Sequence, residues 1–331
     1  MNMQGKYERG FSLVELMIAL LLGTLVVAAA GGIFLTNRQT FRSTDSLGRV
    51  QEGMRTAFEL MARDIREASG NPCSNGVPLA NVINSPSSRW WTNLENWGQG
   101  LRGYMGSQAF ADSGFGTGAG QRLSDTEAIE LFATETPVRM VTAHTPASAT
   151  FTLSDANHGF AAGELALACS PRHAALFQIS SVSGATIGHG TGGTPGNCTS
   201  ALGVPVNCGT SISYEFSTPN TVLARVHAVR WYVANNAAGR PALYQQRLAR
   251  VAGGGLQAVA QEVVEGVRSL ELTYLERNET SYGNASTVAA WDQVVAVNIR
   301  AEVEGEPNSG TGGVPLARNV EHVVSLRNRN P

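Results

Sequence analysis

The sequence predicts an α+β fold. One long amino-terminal α-helix, transmembrane in its first half and amphipathic in its second, packs on a large antiparallel β-rich head. Three observations carry this. An apolar run of 25 residues, Phe11 to Leu35, contains a single charge, Glu15. A helical amphipathic stretch follows it directly. From Cys73 onward the apolar spacing changes from steps of three and four to steps of two.

The apolar run comes first. A helix rises about 1.5 Å per residue, so about 20 residues span a bilayer and this run is long enough. Two plain readings of it meet difficulties. Lys6 and Arg9 before the run, and Ala28-Ala29-Ala30 within it, suit a secretory signal peptide. The run, however, exceeds the apolar core of about 7–15 residues usual for such a peptide. A simple single-pass anchor is opposed by Glu15, because an unpaired carboxylate in lipid is costly. Arg38 and Arg42 follow the run as Lys6 and Arg9 precede it, so the basic residues set no orientation.

A third reading uses every feature. Gly10-Phe11-Ser12-Leu13-Val14-Glu15-Leu16 closely resembles the type IV prepilin signature. The resemblance implies cleavage between Gly10 and Phe11 by a membrane-embedded prepilin peptidase, which also methylates the new amino terminus at Phe11. It implies an assembly role for Glu15, whose carboxylate needs a positive partner in lipid. The α-amine of a neighbouring subunit is the natural one.

The amphipathic half continues through Leu47, Val50, Met54, Ala57/Phe58, Met61, Ile65 and Ala68, which lie on one helical face. Arg49, Glu52, Arg55, Glu59, Arg63, Asp64 and Arg66 are expected largely off that stripe. Ser69-Gly70-Asn71-Pro72 reads as a stop, with Gly70 suited to the left-handed position and Pro72 blocking continuation. The helix is expected from about Ser12 to about Ala68, roughly 85 Å long. Gly23, Gly31 and Gly32 are weak points within it or sites of close helix contact.

The head reads as strands. Period-two runs occur at Ile129/Leu131, Phe151/Leu153, Leu165/Leu167/Cys169, Phe177/Ile179, Val229/Trp231/Val233 and Leu270/Leu272/Tyr274. The clearest is Val295/Val297/Ile299/Ala301/Val303, and Val320 to Leu326 reads as a last strand. Gly-rich stretches near 98–122, 183–211 and 305–315 punctuate them, with a candidate subdivision of the head near 183–216. The expected division is a leader at 1–10, a transmembrane half-helix at 11–35, an amphipathic half-helix at 36–70 and a head at 71–331.

Composition limits the function. The chain has 331 residues, 43% hydrophobic and 15% charged, with a net charge of −2. That excludes disorder and argues against general nucleic-acid binding. Of its 24 basic residues, 23 are arginine and the only lysine is Lys6. Cleavage after Gly10 would leave 321 residues (331 − 10), 22 basic (24 − 2) and 25 acidic (26 − 1). The net charge would be −3, and the amine of Phe11 would be the only one in the chain.

Cys73, Cys169, Cys198 and Cys208 form no C-x-x-C pair and suit disulfides in an oxidising compartment. Two bridges allow three pairings, and four reduced thiols are the alternative. Cys198–Cys208 would clip a Gly-rich loop, and Cys73–Cys169 would tie the helix end to the sheet.

Catalytic signals are weak. Gly188-His-Gly190-Thr-Gly192-Gly193 matches G-x-G-x-x-G, but Pro195 and a polar stretch follow where a nucleotide site needs a helix. His144, His158, His173, His189, His227 and His322 are scattered without metal-ligand spacing. No catalytic residue, cofactor or metal is expected. Trp90, Trp91, Trp97 and Tyr104 read as a satellite core or as a subunit contact. Arg225, Arg230, Arg240, Arg247 and Arg250 read as a solvated sheet face or as a patch for an acidic partner or DNA.

The body carries a second resemblance. The strand ending at Cys169 and followed by Ser-Pro-Arg-His-Ala-Ala-Leu-Phe-Gln-Ile, the segment Val263-Val-Glu-Gly-Val267 and the ending Val-Ser-Leu-Arg-Asn-Arg look like the minor pilins of the PilW family. The resemblance implies a structural protein that is not an enzyme and that helps prime type IV pilus assembly near the tip. Attachment, twitching motility and DNA uptake would follow through the pilus. It implies other minor pilins, the major pilin, the prepilin peptidase/methyltransferase and the inner-membrane assembly platform as partners, with no direct nucleic-acid binding. The protein would sit as a single-pass inner-membrane protein with a periplasmic head, then enter the extracellular pilus. The helix-kinking proline of major pilins is absent here. A minor pseudopilin of a type II secretion system shares the leader and helix and is the alternative. A membrane-anchored β-domain enzyme or carbohydrate binder would need a convergent polar site.

Overall fold

The computed structural model describes residues 11–73, 77–93, 99–210, 212–251, 255–305 and 314–329. The leader, Trp97 and the centre of the Gly-rich stretch at 305–315 lie outside them, as does the side chain of Leu47. The architecture is α+β: one long helix, then strands joined by turns and short 3-10 segments.

Helix α1 spans Leu13–Glu67, 55 residues without interruption. Every residue from Phe11 to Arg42 is exposed. The chain divides into two compact units, and the boundary falls inside this helix, after Gln51. The first unit comprises residues 1–51 and 305–316, and the second comprises 52–304 and 317–331.

Within the second unit the end of α1 is a core element. Met54, Ala57, Phe58, Met61, Ala62, Ile65 and Ala68 are buried, following the apolar stripe. Arg55–Glu59 and Arg63–Glu67 form i,i+4 ion pairs on the exposed side. Asp64 departs from the sequence expectation. It is buried on the stripe side, 8% exposed, and has partners described below.

The helix stop also differs in detail. The left-handed residue is Ser69 (φ 65°), not Gly70. Ser69 N–H donates to Phe132 O at 2.8 Å, which pulls the chain off the helix axis and onto a strand. Gly70 is needed for closeness instead: a Cβ there would meet the Asn328 amide at 2.7 Å and Glu67 O at 2.8 Å.

The head is built around β10 (Val222–Asn235), 14 residues long. Its first residues pair antiparallel with β6 (Leu165–Cys169) and β4 (Arg139–Thr145). Its later residues pair with β3 (Ala128–Thr134) and β11 (Pro241–Arg250). The sheet extends through β7 (Ala174–Gln178), β5 (Thr150–Leu153), β9 (Thr186–Gly188) and β12 (Leu256–Glu265), among its 12 strands. Among the described residues, the strands pair antiparallel except that the short β1 (Leu79–Asn81) runs parallel to β7, and Ala119 makes an isolated parallel bridge to Asn235. The stretch after Cys169 becomes the β6–β7 hairpin.

A second sheet has four strands, in the order β14 (Gly283–Asn284), β13 (Val267–Glu276), β15 (Val294–Glu304) and β16 (Ala317–Ser325). The Val263–Val267 segment is the crossing between the sheets. Gly266, with φ 88°, donates to Pro241 O and accepts from Glu304 N, both at 2.8 Å. A side chain is strained at that φ, and a Cβ would run into the Glu304 carbonyl. The alternation expected over 295–303 holds from Val297 onward. The register shifts where Glu276 pairs with Val294 and Leu275 with Ala296, so Val295 falls in a bulge and is only half-buried.

Candidate functional site

The features that point to function lie at the start of α1. Ser12 N–H donates to Glu15 Oε2 at 3.3 Å, and Val14 N–H donates to Ser12 Oγ at 3.3 Å. Ser12 is the N-cap, its hydroxyl accepting the N–H two residues on, and Glu15 reaches back to the Ser12 N–H as the acidic residue of a capping box does. The Glu15 carboxylate therefore sits at the positive end of the helix dipole. Motif reasoning alone missed this second task of Glu15. The Ser-x-x-Glu spacing ahead of an apolar run is the signal that reveals it. Phe11 is 87% exposed just before the cap, and Gly10 lies outside the described residues. The helix behind is long and apolar enough to cross a membrane.

The other polar sites serve the head. Asp64 Oδ2 accepts the Trp231 Nε1–H at 2.8 Å and the Gln245 amide at 2.9 Å. His227 lies 3.9 Å from Asp64 and 3.8 Å from Glu135. Burial alone would lower its pKa, but the nearby carboxylates of Asp64 and Glu135 outweigh burial and raise it. The carboxylate on α1 thus fastens the helix end to β10 and β11.

Arg230 corrects the expectation of a solvated arginine face. It is 1% exposed and bonds Glu130 at 2.6 Å and Asp112 at 2.8 Å. Its guanidinium lies 4.4 Å from the Trp90 ring and 3.8 Å from the Phe110 ring. Arg225 lies on the opposite face and pairs with Glu135 and Glu164. Arg240 pairs with Glu265 at 2.5 Å. Three of the five arginines thus answer acids of their own chain. Trp90, Trp91 and Tyr104 are buried, which favours the core reading for them.

Two of the scattered histidines meet. His144 Nε2 lies 3.2 Å from His189 Nε2, and both rings are buried. Phe216 N–H donates to His144 Nδ1 at 3.0 Å, so that nitrogen is an acceptor and the proton sits on Nε2. The Nε2–H then donates to His189 Nε2, which leaves both rings neutral. Burial pushes the His144 pKa down to about 4, and burial together with the neighbouring His144 brings His189 to about 4 as well. Among the described residues, no group of three or more His, Cys, Asp or Glu is placed to hold a metal ion. The G-x-G-x-x-G stretch closes on itself through the Gly192–Asn197 bridge, and among the described residues no helix follows it directly.

Disulfides join Cys73 to Cys169 and Cys198 to Cys208. The first links the segment after α1 to β6. The second closes a loop of the Gly-rich stretch.

Comparison with known families gives two matches. Residues 5–31 match the prokaryotic N-terminal methylation motif and take in Gly10, Phe11 and Glu15. Residues 230–327 match type IV pilus-assembly protein W, from Arg230 in β10 to just beyond β16. No curated protein matches the chain. With an apolar helix behind the first match and β-rich sheets around the second, these two stretches are similar to those of a PilW-type pilin that carries a prepilin leader, and such pilins are structural proteins rather than enzymes.

Proposed function

We propose that the chain is a minor pilin that helps prime type IV pilus assembly near the pilus tip. The leader, residues 1–10, is removed between Gly10 and Phe11, and Phe11 is N-methylated. Residues 11–35 then hold the protein once across the inner membrane, and residues 36–70 lead into a periplasmic head at 71–331. Other minor pilins, the major pilin and the assembly platform are its partners in the filament. Attachment, twitching motility and DNA uptake are served through the pilus.

The observation that carries this reading is Glu15. It is the one charge in a 25-residue apolar run, five residues into the processed chain. Its carboxylate caps its own helix through Ser12 N–H. During assembly a neighbour's Phe11 amine takes up that carboxylate, an ion pair that lipid strengthens and that sets axial register. No lysine competes for the carboxylate, because Lys6 leaves with the leader.

Amino-terminal analysis of the protein from membranes tests the processing step. N-methylphenylalanine at Phe11 is the expected result, and a start at Gly31 would mean an ordinary signal peptide instead. Gly10→Val is expected to leave an uncut precursor, whereas Glu15→Ala is expected to be cut and yet assemble poorly. Normal piliation by Glu15→Ala would remove the pairing role.

A further inference from the structure

The chain holds three Asn-x-Ser/Thr triplets, the pattern that accepts N-linked glycan: Asn197-Cys198-Thr199, Asn278-Glu279-Thr280 and Asn284-Ala285-Ser286. The structure separates them. Asn197 is 1% exposed, and its amide is consumed in bonds to Gln178 O and Gly190 O while its carbonyl accepts Gln178 N–H. Its neighbour Cys198 is in a disulfide. Asn284 is half-buried, paired to β13 through its backbone, and its Oδ1 holds both the N–H and the hydroxyl of Ser286. Neither side chain can be presented without breaking these bonds.

Asn278 differs in each respect. It sits in the turn that leaves β13, with a left-handed φ of 69°. Asn278, Glu279 and Thr280 are all exposed. Among the described residues, nothing takes the Asn278 amide. The base of the loop is anchored while its tip is clear. Arg277 N–H donates to Gln293 O at 2.8 Å, and Glu276 accepts the N–H groups of Ala289 and Ala290.

We infer that Asn278 is an acceptor site for an N-linked oligosaccharide in the exported head. The inference rests on the periplasmic placement proposed above. The donor is a polyprenyl-pyrophosphate-linked oligosaccharide. Asn278 Nδ2 attacks the anomeric carbon and a C–N bond forms. The anomeric C–O bond to pyrophosphate breaks, polyprenyl pyrophosphate leaves, and the amide proton passes to an enzyme base. The Thr280 hydroxyl completes the recognised triplet.

The test expresses the full chain in cells with a periplasmic oligosaccharyltransferase, its lipid-linked glycan and a reference acceptor protein that those cells modify. The expected result is a mass increase of one glycan on the peptide containing Asn278. It is lost in Asn278→Gln and in Thr280→Ala and retained in Thr280→Ser. An unmodified Asn278 beside a modified reference protein overturns the proposal, as does glycan carried only on Asn197 or Asn284. Alkylation of the unreduced sample separates the two failures. Protected cysteines with an unmodified Asn278 reject the acceptor site alone, whereas reactive cysteines reject the exported head and the acceptor site with it.

Discussion

Arg230 and Glu130 meet across adjacent strands, one 1% exposed and the other not exposed at all. Burial raises the Glu130 pKa even though Arg230 pulls it down. Removing the arginine leaves a carboxylate and its neighbour Asp112 without their cation. Arg230→Met is therefore expected to cost about 3–5 kcal/mol, the usual penalty for breaking a buried pair. Adding Glu130→Gln is expected to recover part of that loss. Urea unfolding of the detergent-solubilised chain measures both, and an unchanged midpoint for Arg230→Met would show that the pair carries no stability. Arg230 is hard to read as a buried residue from sequence. It occupies an alternating strand whose other side also carries an arginine, so both look solvated. The strand is covered on both faces, and burial then follows the available partners rather than the alternation.

The end of α1 is held at the level of whole elements. An apolar stripe from Met54 to Ala68 buries it, Asp64 fastens it to β10 and β11, and Ser69 passes the chain to β3. The Cys73–Cys169 bridge then closes a span of 96 residues, against 10 for Cys198–Cys208. Loop-closure entropy makes the two bridges unequal: about 5 kcal/mol for the longer loop and about 3 kcal/mol for the shorter. Replacing Cys73 and Cys169 by serine is expected to lower the unfolding midpoint more than replacing Cys198 and Cys208. Equal losses would mean that the unfolded chain keeps the helix end near β6 without the bridge.

The response of the whole molecule to acid is set in part by the buried histidine pair. His144 and His189 are neutral in the fold, with pKa values near 4. Unfolded histidines titrate near 6.5, so between these values the unfolded chain binds more protons. Stability from the pair is complete above about pH 6.5 and falls as pH drops toward 4, by about 3 kcal/mol for one such histidine. His227 opposes this, because its raised pKa gives stability that is present in acid and lost as pH rises through its folded value. Thermal midpoints from pH 7 to pH 4 are expected to fall, and a His144→Gln/His189→Gln variant to fall less steeply. A variant as acid-sensitive as the parent would remove the pair as the cause.

The sequence by itself determined what depends on neighbours along the chain. The length of the apolar run, the helical stripe from Met54 to Ala68 and the period-two strands are local patterns, and they appear in the fold where the spacing placed them except at Val295, which falls in a bulge. Even the cap that holds Glu15 lies within four residues. The tertiary structure alone decided which polar residues are internal. Asp64 meets Trp231 across 167 positions, Arg230 meets Glu130 across 100, and His144 meets His189 across 45. A charged or polar side chain enters a core only where a distant element satisfies it. The same residue reads as surface when its partner is unknown, and no period along the chain carries that information.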